Sequence, residues 1–361
     1  MKVGIVGLPN AGKSSLFNLL THGNARVDSY PFTTIERNVG VVLVPDERLE
    51  LIGRVLKPKK LTPAHIEFVD IAGLVQGASR GEGLGNKFLA HIREADLILH
   101  LVRDFPSADI PHVLDTNDPD RDAAIIEAEL AIADLAVVER RLDHVRKEPK
   151  TPEQQLLLVA LEKLAAALAR GFEPPQLHPE EKNAVRDLNL FILRPVVFAV
   201  NCSDSESVDP GRFPRVAARS PLLFSAALEE GMSSLTSEER TELRTSLGLD
   251  PEGPAAIVNR CFAALDLLRF YTVKGDESRA WSAPRGTTAL DAAFMIHSDI
   301  GSGFIKAEVI TCSDLSATGD FAAARTLGRV KTEGRSYVVQ DGDVLLIKFR
   351  ESQHGAPARR T

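Results

Sequence analysis

An α/β fold built on a mostly parallel sheet is predicted by three observations. Short apolar runs near Lys2 to Val6, Val39 to Val44, Ala64 to Val69 and Leu97 to Val102 are separated by stretches of helical periodicity, the alternation that builds a parallel sheet. The first run leads into Gly7-Leu8-Pro9-Asn10-Ala11-Gly12-Lys13-Ser14, a complete G-x-x-x-x-G-K-[ST] phosphate-binding loop. Two later runs, Arg194 to Asn201 and Leu222 to Ser225, read as the last core strands, so the chain between Asp104 and Asn189 interrupts the domain.

The loop sets the chemistry. Its glycines let the backbone curl so that N–H groups across Asn10, Ala11, Gly12, Lys13, Ser14 and Ser15 face phosphate oxygens, and a helix starting near Lys13 adds its positive end. The apolar Leu16, Phe17, Leu19 and Leu20 supply that helix with a buried face. Lys13 is placed for the β and γ phosphates. Ser14 offers a hydroxyl to Mg2+, a hard ion that takes oxygen ligands.

A second segment places the metal and a γ-phosphate sensor. Asp70 ends the run from Ala64 and is followed by Ile71, Ala72 and Gly73; Asp70 would hold Mg2+ through water, and the Gly73 N–H would touch the γ-phosphate. Between the two motifs, Thr34 in Tyr30-Pro31-Phe32-Thr33-Thr34-Ile35-Glu36 would close on Mg2+ when a third phosphate is present, the behaviour of a switch. The Gly-rich run from Leu74 to Asn86 is costly to order and easily coupled to ligand.

The interruption is helical. Ile132, Leu135, Val138, Leu142 and Val145 recur at threes and fours, as do Leu157, Leu161, Leu164 and Leu168, while Thr151 with Gln154 forms a capping box and Pro152 suits the first helical position. This predicts an antiparallel coiled-coil hairpin over 121–187, inserted into a nucleotide-binding domain of residues 1–120 and 188–268. Arg140, Arg141, Arg146, Lys147 and Lys150 cluster near its tip, either a solvated face or a contact surface. One helix closes at Leu247-Gly248 and another runs from Ile257 through Leu268. Residues 269–350 then alternate short β-like runs with one helix, Leu290 to His297, and a closing strand from Gly342 to Phe349; His297, Trp281 and Asp343 read as packing and turn residues. A tail, 351–361, follows.

Composition narrows the class. The 361 residues carry a net charge of −7, so bulk electrostatics does not make the chain a general nucleic-acid binder, and no DNA partner is expected. Three well-separated cysteines, Cys202, Cys261 and Cys312, fit a reducing compartment and no metal cluster. With no signal peptide and no membrane-spanning run, a cytoplasmic location is expected.

The loop, the Pro-Phe-Thr-Thr-Ile-Glu segment, the run from Phe68 to Asn86 and His91-Ile92-Arg93-Glu94-Ala95-Asp96 together resemble the YchF branch of the Obg-related P-loop NTPases. The resemblance continues through Arg279-Ala280-Trp281, Gly303 to Val309 and Val339 to Val344. It implies that residues 269–350 form a TGS domain, a small ubiquitin-like α+β module, and that the partners are a nucleoside triphosphate and the ribosome, as the large subunit or the 70S particle. The family's hairpin is longer than this one.

Base choice stays open at this stage. Many relatives read guanine with Asn-Lys-x-Asp, and the YchF branch carries Asn-x-x-Glu, associated with ATP; this chain has Asn201-Cys202-Ser203-Asp204. Asn201 can pair bidentately with adenine N6 and N7, Asp204 can still receive guanine donors, and Ser225, Ala226 and Ala227 would complete the pocket through backbone N–H groups. ATP is favoured, with GTP as the alternative. Water activation is also open. Leu74 stands where Ras-type enzymes place a Gln, and an aliphatic side chain cannot orient water. His112 matches a histidine proposed as catalytic in the family, while Asn10 with backbone carbonyls could instead hold a monovalent cation such as K+ at the phosphates.

Overall fold

A computed structural model describes residues 1–22, 39–70, 89, 92–107, 109–114, 116–149 and 151–350. Along the chain run β1 (Lys2–Val6), α1 (Lys13–His22), β2 (Val39–Leu43), α2 (Glu47–Leu56), β3 (Lys60–Thr62), β4 (His65–Asp70) and β5 (Leu97–Asp104). There follow α3 (Pro119–Val145), α4 (Pro152–Leu168), β6 (Val196–Cys202), β7 (Leu222–Phe224), α5 (Ala226–Gly231) and α6 (Pro254–Ala264). Two compact units emerge, Met1–Val42 with Ile66–Ala264, and Leu43–His65 with the chain from Leu265 on.

The first unit carries a six-stranded sheet ordered β2-β4-β1-β5-β6-β7. β1 pairs parallel with β4 and β5, β5 with β6, and β6 with β7. Every residue of β5 is buried, as expected of a central parallel strand covered on both faces.

The inserted helices divide differently from the sequence expectation. The first half of α3 belongs to the domain core, where Ile126, Leu130 and Ala133 pack with Val6, Leu8, Ile98 and Phe191. Only its second half pairs with α4, through Val138, Leu142 and Val145 against Leu157, Leu161, Leu164 and Leu168. The hairpin therefore separates at about Ala131 to Asp134 rather than at residue 121, because one helix changes what it packs against without changing its period. Asp134 sits at the changeover, fully buried, accepting from the Ile192 N–H at 2.9 Å and from Arg93 at 3.5 Å. Ile132, expected in the seam, is 38% exposed; Ala131 is buried in its place. The capping box is half formed. Gln154 N–H donates to Thr151 Oγ1, but its side chain goes to Glu148 instead of returning to the cap.

Residues 43–65, read from sequence as part of the nucleotide-binding domain, segregate with the C-terminal chain. In that unit Asp46 caps α2 and accepts from the Tyr271 hydroxyl at 2.8 Å, Arg48 pairs with Asp341 at 2.8 Å, and β3 pairs parallel with β9 (Glu277–Pro284). The sheet is ordered β11-β10-β12-β8-β9-β3, with β8 (Leu267–Lys274), β10 (Phe304–Thr311), β11 (Lys331–Glu333) and β12 (Asp343–Phe349). The helix expected to reach Leu268 stops at Ala264. Asp266 adopts a left-handed φ of 51°, and Leu267 opens β8 in full register with β9. α7 (Ala289–Ile296) buries Ala289, Ala292 and Ala293 against Leu268, Phe270 and Leu345. His297 caps the next turn, Trp281 donates to Thr272, and Asp343 accepts from Tyr337 and the Gln340 N–H. No described helix is long and apolar enough to cross a membrane.

Candidate active site

The strand order reverses at β1, with β4 and β2 on one side and β5, β6 and β7 on the other, so the loops leaving the carboxyl ends of β1 and β5 flank a common crevice. A cleft of about 530 Å³ opens there, lined by Asn10, Gly12, Lys13, Ser14 and Ser15, by Asn201 to Asp204, and by Ala226 and Ala227.

Sterics dictate the loop. Asn10 and Gly12 hold left-handed φ values of 64° and 95°. A Cβ on Gly7 would meet the Leu101 carbonyl at 2.4 Å, and one on Gly12 would meet Asn201 Nδ2 at 2.3 Å. Lys13 is 7% exposed, and its ammonium donates to the carbonyls of Gly7 at 3.1 Å and Leu8 at 2.8 Å. Burial lowers its pKa to about 8, with nearby Asp70 opposing the fall. A phosphate at this loop must take Lys13 over from those two carbonyls.

Ser14 Oγ donates to Asp70 Oδ2 at 2.8 Å, whereas Asp70 Oδ1 is buried with no partner among the described residues. A hydroxyl beside an orphaned carboxylate oxygen is a donor set suited to a hard divalent cation, so these two residues fit Mg2+. Thr34, the third residue expected at the metal, lies outside the described residues, as do Gly73 and Leu74.

Asn201, on β6, is a strut as well as a pocket residue. Its Nδ2 donates to Ala11 O at 3.2 Å and its Oδ1 accepts from Ala226 N at 3.0 Å, tying the loop to the start of α5. The Ala226 N–H expected to face a base is thereby committed. Ser225 is buried, and its hydroxyl caps α5 by accepting from Leu228 N rather than facing the cleft. Cys202 is buried, which pushes its thiol pKa up, while Asp204 lies exposed on the cleft wall.

His112 is drawn inward. Its Nε2–H donates to Asp122 at 2.6 Å and its Nδ1 accepts from the Leu114 N–H at 3.1 Å, so both ring nitrogens are engaged and His112 does not line the cleft. Asn10 Nδ2 donates to Pro111 O at 3.0 Å, which spends part of the side chain expected to hold a cation.

Sequence reasoning missed the opposite wall, formed by Phe105, Pro106, Ser107 and Ile110, together with Glu230. Arg103 holds that wall from behind and is 3% exposed. Its detectable signal is position: charged Arg103 and Asp104 close the carboxyl end of a central strand, where ligands of such sheets bind.

A family model described as 50S ribosome-binding GTPase matches residues 2–156, and one for the C-terminal part of YchF GTPases, described as a protein of unknown function, matches residues 267–350. The chain is 39% identical to the ribosome-binding ATPase YchF of Bacillus subtilis, over 97% of this chain and 99% of that one. It is 41% identical to the protein of the same name from Haemophilus influenzae, over 96% and 99%. Among solved structures, the Schizosaccharomyces pombe YchF GTPase superposes with a TM-score of 0.82 at 33% identity, covering 96% of this chain and 97% of that one.

Proposed function

The chain belongs to the YchF family, and on that premise we propose that it is a Mg2+-dependent nucleoside triphosphatase, ATP-preferring, that acts on the ribosome. The observation that carries the reading is the pairing of Ser14 with Asp70, one carboxylate oxygen bonded and the other buried without a partner among the described residues, beside the buried Lys13 ammonium. Ser14 and Asp70 would hold the magnesium, which when bound neutralises phosphate charge. Lys13 exchanges its bonds to Gly7 and Leu8 for phosphate oxygens, and the loop amides at the start of α1 add donors already in place.

Preference for ATP rests on Asn201. An amide offers two N–H groups and two lone pairs; one of each is spent on Ala11 and Ala226, which leaves one donor and one acceptor for the complementary N7 and N6 of adenine. Asp204 on the same wall favours a second reading, GTP, because a carboxylate accepts from guanine donors. Side-by-side equilibrium binding of ADP, ATP, GDP and GTP, with and without Mg2+, decides between them; GDP bound far more tightly than ADP would replace ATP by GTP.

Ribosome binding is extended to this chain from the names its relatives carry. Exposed Arg140, Arg146 and Lys147 near the hairpin tip supply a basic contact of the sign RNA requires. Co-sedimentation with ribosomal particles tests it. Absence from the pellet in every nucleotide state, at low and moderate salt, would remove the partner.

A further inference from the structure

Arg103 leaves the carboxyl end of β5 almost fully buried, and its three bonds go to backbone carbonyls rather than carboxylates. Nε donates to Phe105 O at 3.0 Å, one terminal nitrogen to Asn10 O at 3.3 Å and the other to Ile110 O at 2.8 Å. The guanidinium carbon also lies 4.2 Å from the centre of the Phe105 ring. Asn10 belongs to the phosphate loop; Phe105 and Ile110 belong to the opposite wall of the cleft. Asn10 is tethered a second time to the same segment, through Nδ2 to Pro111 O.

The two halves of the cleft are not equally dependent on this fork. The phosphate loop has its own anchor in Asn201, which grips Ala11 from β6. Between Asp104 and Asp118 the chain forms no helix or strand among the described residues; two of the three Arg103 bonds hold it at Phe105 and Ile110, the residues that face the cleft, while the His112–Asp122 pair holds it farther along, away from the cleft. Burying a guanidinium has a cost, visible in the lowering of its pKa by desolvation, which the Asp122 charge opposes and the three carbonyl bonds help to offset.

We propose that Arg103 is a positioning residue that locks the wall of Phe105 and Ile110 to the phosphate loop, so that recognition of the nucleoside depends on it while recognition of the phosphates does not. The inference rests on the nucleotide-binding reading of the cleft. A planar fork reaching three carbonyls in different directions is a geometry that an ammonium on a flexible stem does not reproduce. Charge and shape are thus separable.

The test is equilibrium binding of ATP and of inorganic tripolyphosphate, each with Mg2+, to the full chain and to its Arg103→Met and Arg103→Lys variants. Loss of wall placement should weaken ATP by about 10- to 100-fold in Arg103→Met, with tripolyphosphate little changed. Arg103→Lys, which keeps the charge, should fail to restore the ratio. Equal losses for both ligands, or an unchanged ratio, would overturn the proposal. Should Arg103→Met not fold, Arg103→Gln carries the test: it keeps a polar planar end in the buried position but cannot reach three carbonyls, and the ATP-to-tripolyphosphate ratio must fall there too. Wild-type protein that binds neither ligand overturns the nucleotide reading and this inference together. Tight ATP binding by the wild type, beside an unchanged ratio in the variants, overturns the inference alone.

Discussion

Asn201 Nδ2 sits 2.3 Å from where a Cβ on Gly12 would lie, so the strut that anchors the phosphate loop also excludes any side chain at its second glycine. Gly12→Ala must displace the amide and hold a φ of 95°, a conformation costing about 1–3 kcal/mol for a residue with a side chain. The expected outcome is a loss of triphosphate binding of at least about tenfold, read by calorimetry. Asn201→Ala should weaken binding by a similar route, because Ala11 O and Ala226 N lose their shared partner. Full affinity in both variants would mean that the anchor is irrelevant.

What the sequence made legible was local. The phosphate loop, the strand before it and the helix after it sit within about twenty consecutive residues, and pattern alone carries them. The boundary of the hairpin was not legible, since Ile126 and Leu130 face the sheet while Val138 and Leu142 face α4 within one unbroken helix. Nor was the placement of residues 43–65, which rests on pairings such as Thr62 with Glu277, 215 residues apart in sequence. Arg103 was passed over in spite of its place at the end of a central strand, because a charged residue there looks solvated until the three carbonyls are brought around it.

Lys13 gives the nucleotide site a pH limit. With a pKa of about 8 in place of the ordinary 10.5, it is charged at neutral pH and loses its proton just above. Phosphate binding favours the charged form, so apparent ATP affinity should fall above pH 8, at up to about tenfold per pH unit for one proton. For folding without ligand the sign is opposite. A depressed ammonium pKa contributes stability above 10.5 that is lost as pH falls through 8. Calorimetry in buffers of different ionisation enthalpy should detect proton uptake on binding at pH 8.5; no uptake there would place Lys13 outside the phosphate site.

Asp134 predicts a pH effect at the root of the hairpin. Burial raises its carboxyl to about 6, against the bonds from the Ile192 and Phe191 amides and the charges of Arg93 and Arg194 that favour ionisation. A raised carboxyl pKa means the folded form gains protons first, so this contribution to stability is full below about 3.8 and is lost as pH rises through 6. Asp134→Asn keeps an acceptor for the Ile192 N–H and removes the buried charge. It should stabilise the protein by about 1–2 kcal/mol at pH 7.5 and by less at pH 5. Denaturant midpoints at the two pH values check it, and a variant destabilised equally at both would show that the Arg93 pair outweighs the burial.

The His112 ring is held at both nitrogens. Its Nε2–H is given to Asp122 at 2.6 Å, and the Nδ1 lone pair is filled by the Leu114 N–H at 3.1 Å, so no lone pair remains to receive a proton from water in this arrangement. Asp122 is 4% exposed and shared with Arg121 at 3.1 Å. Taking His112 away leaves that buried carboxylate with one partner fewer, a loss of about 1–3 kcal/mol. His112→Ala should therefore lower the denaturation midpoint while its hydrolysis rate, measured well below that midpoint, stays within a few-fold of wild type. A general base would give a different signature, a rate lower by about 100-fold or more at unchanged stability and nucleotide affinity. That second outcome would require the ring to leave Asp122 during turnover. If the rate instead survives in His112→Ala but drops when K+ is replaced by Na+, the charge at the phosphates comes from a monovalent cation, and the remaining amide oxygen of Asn10 is the group to substitute next.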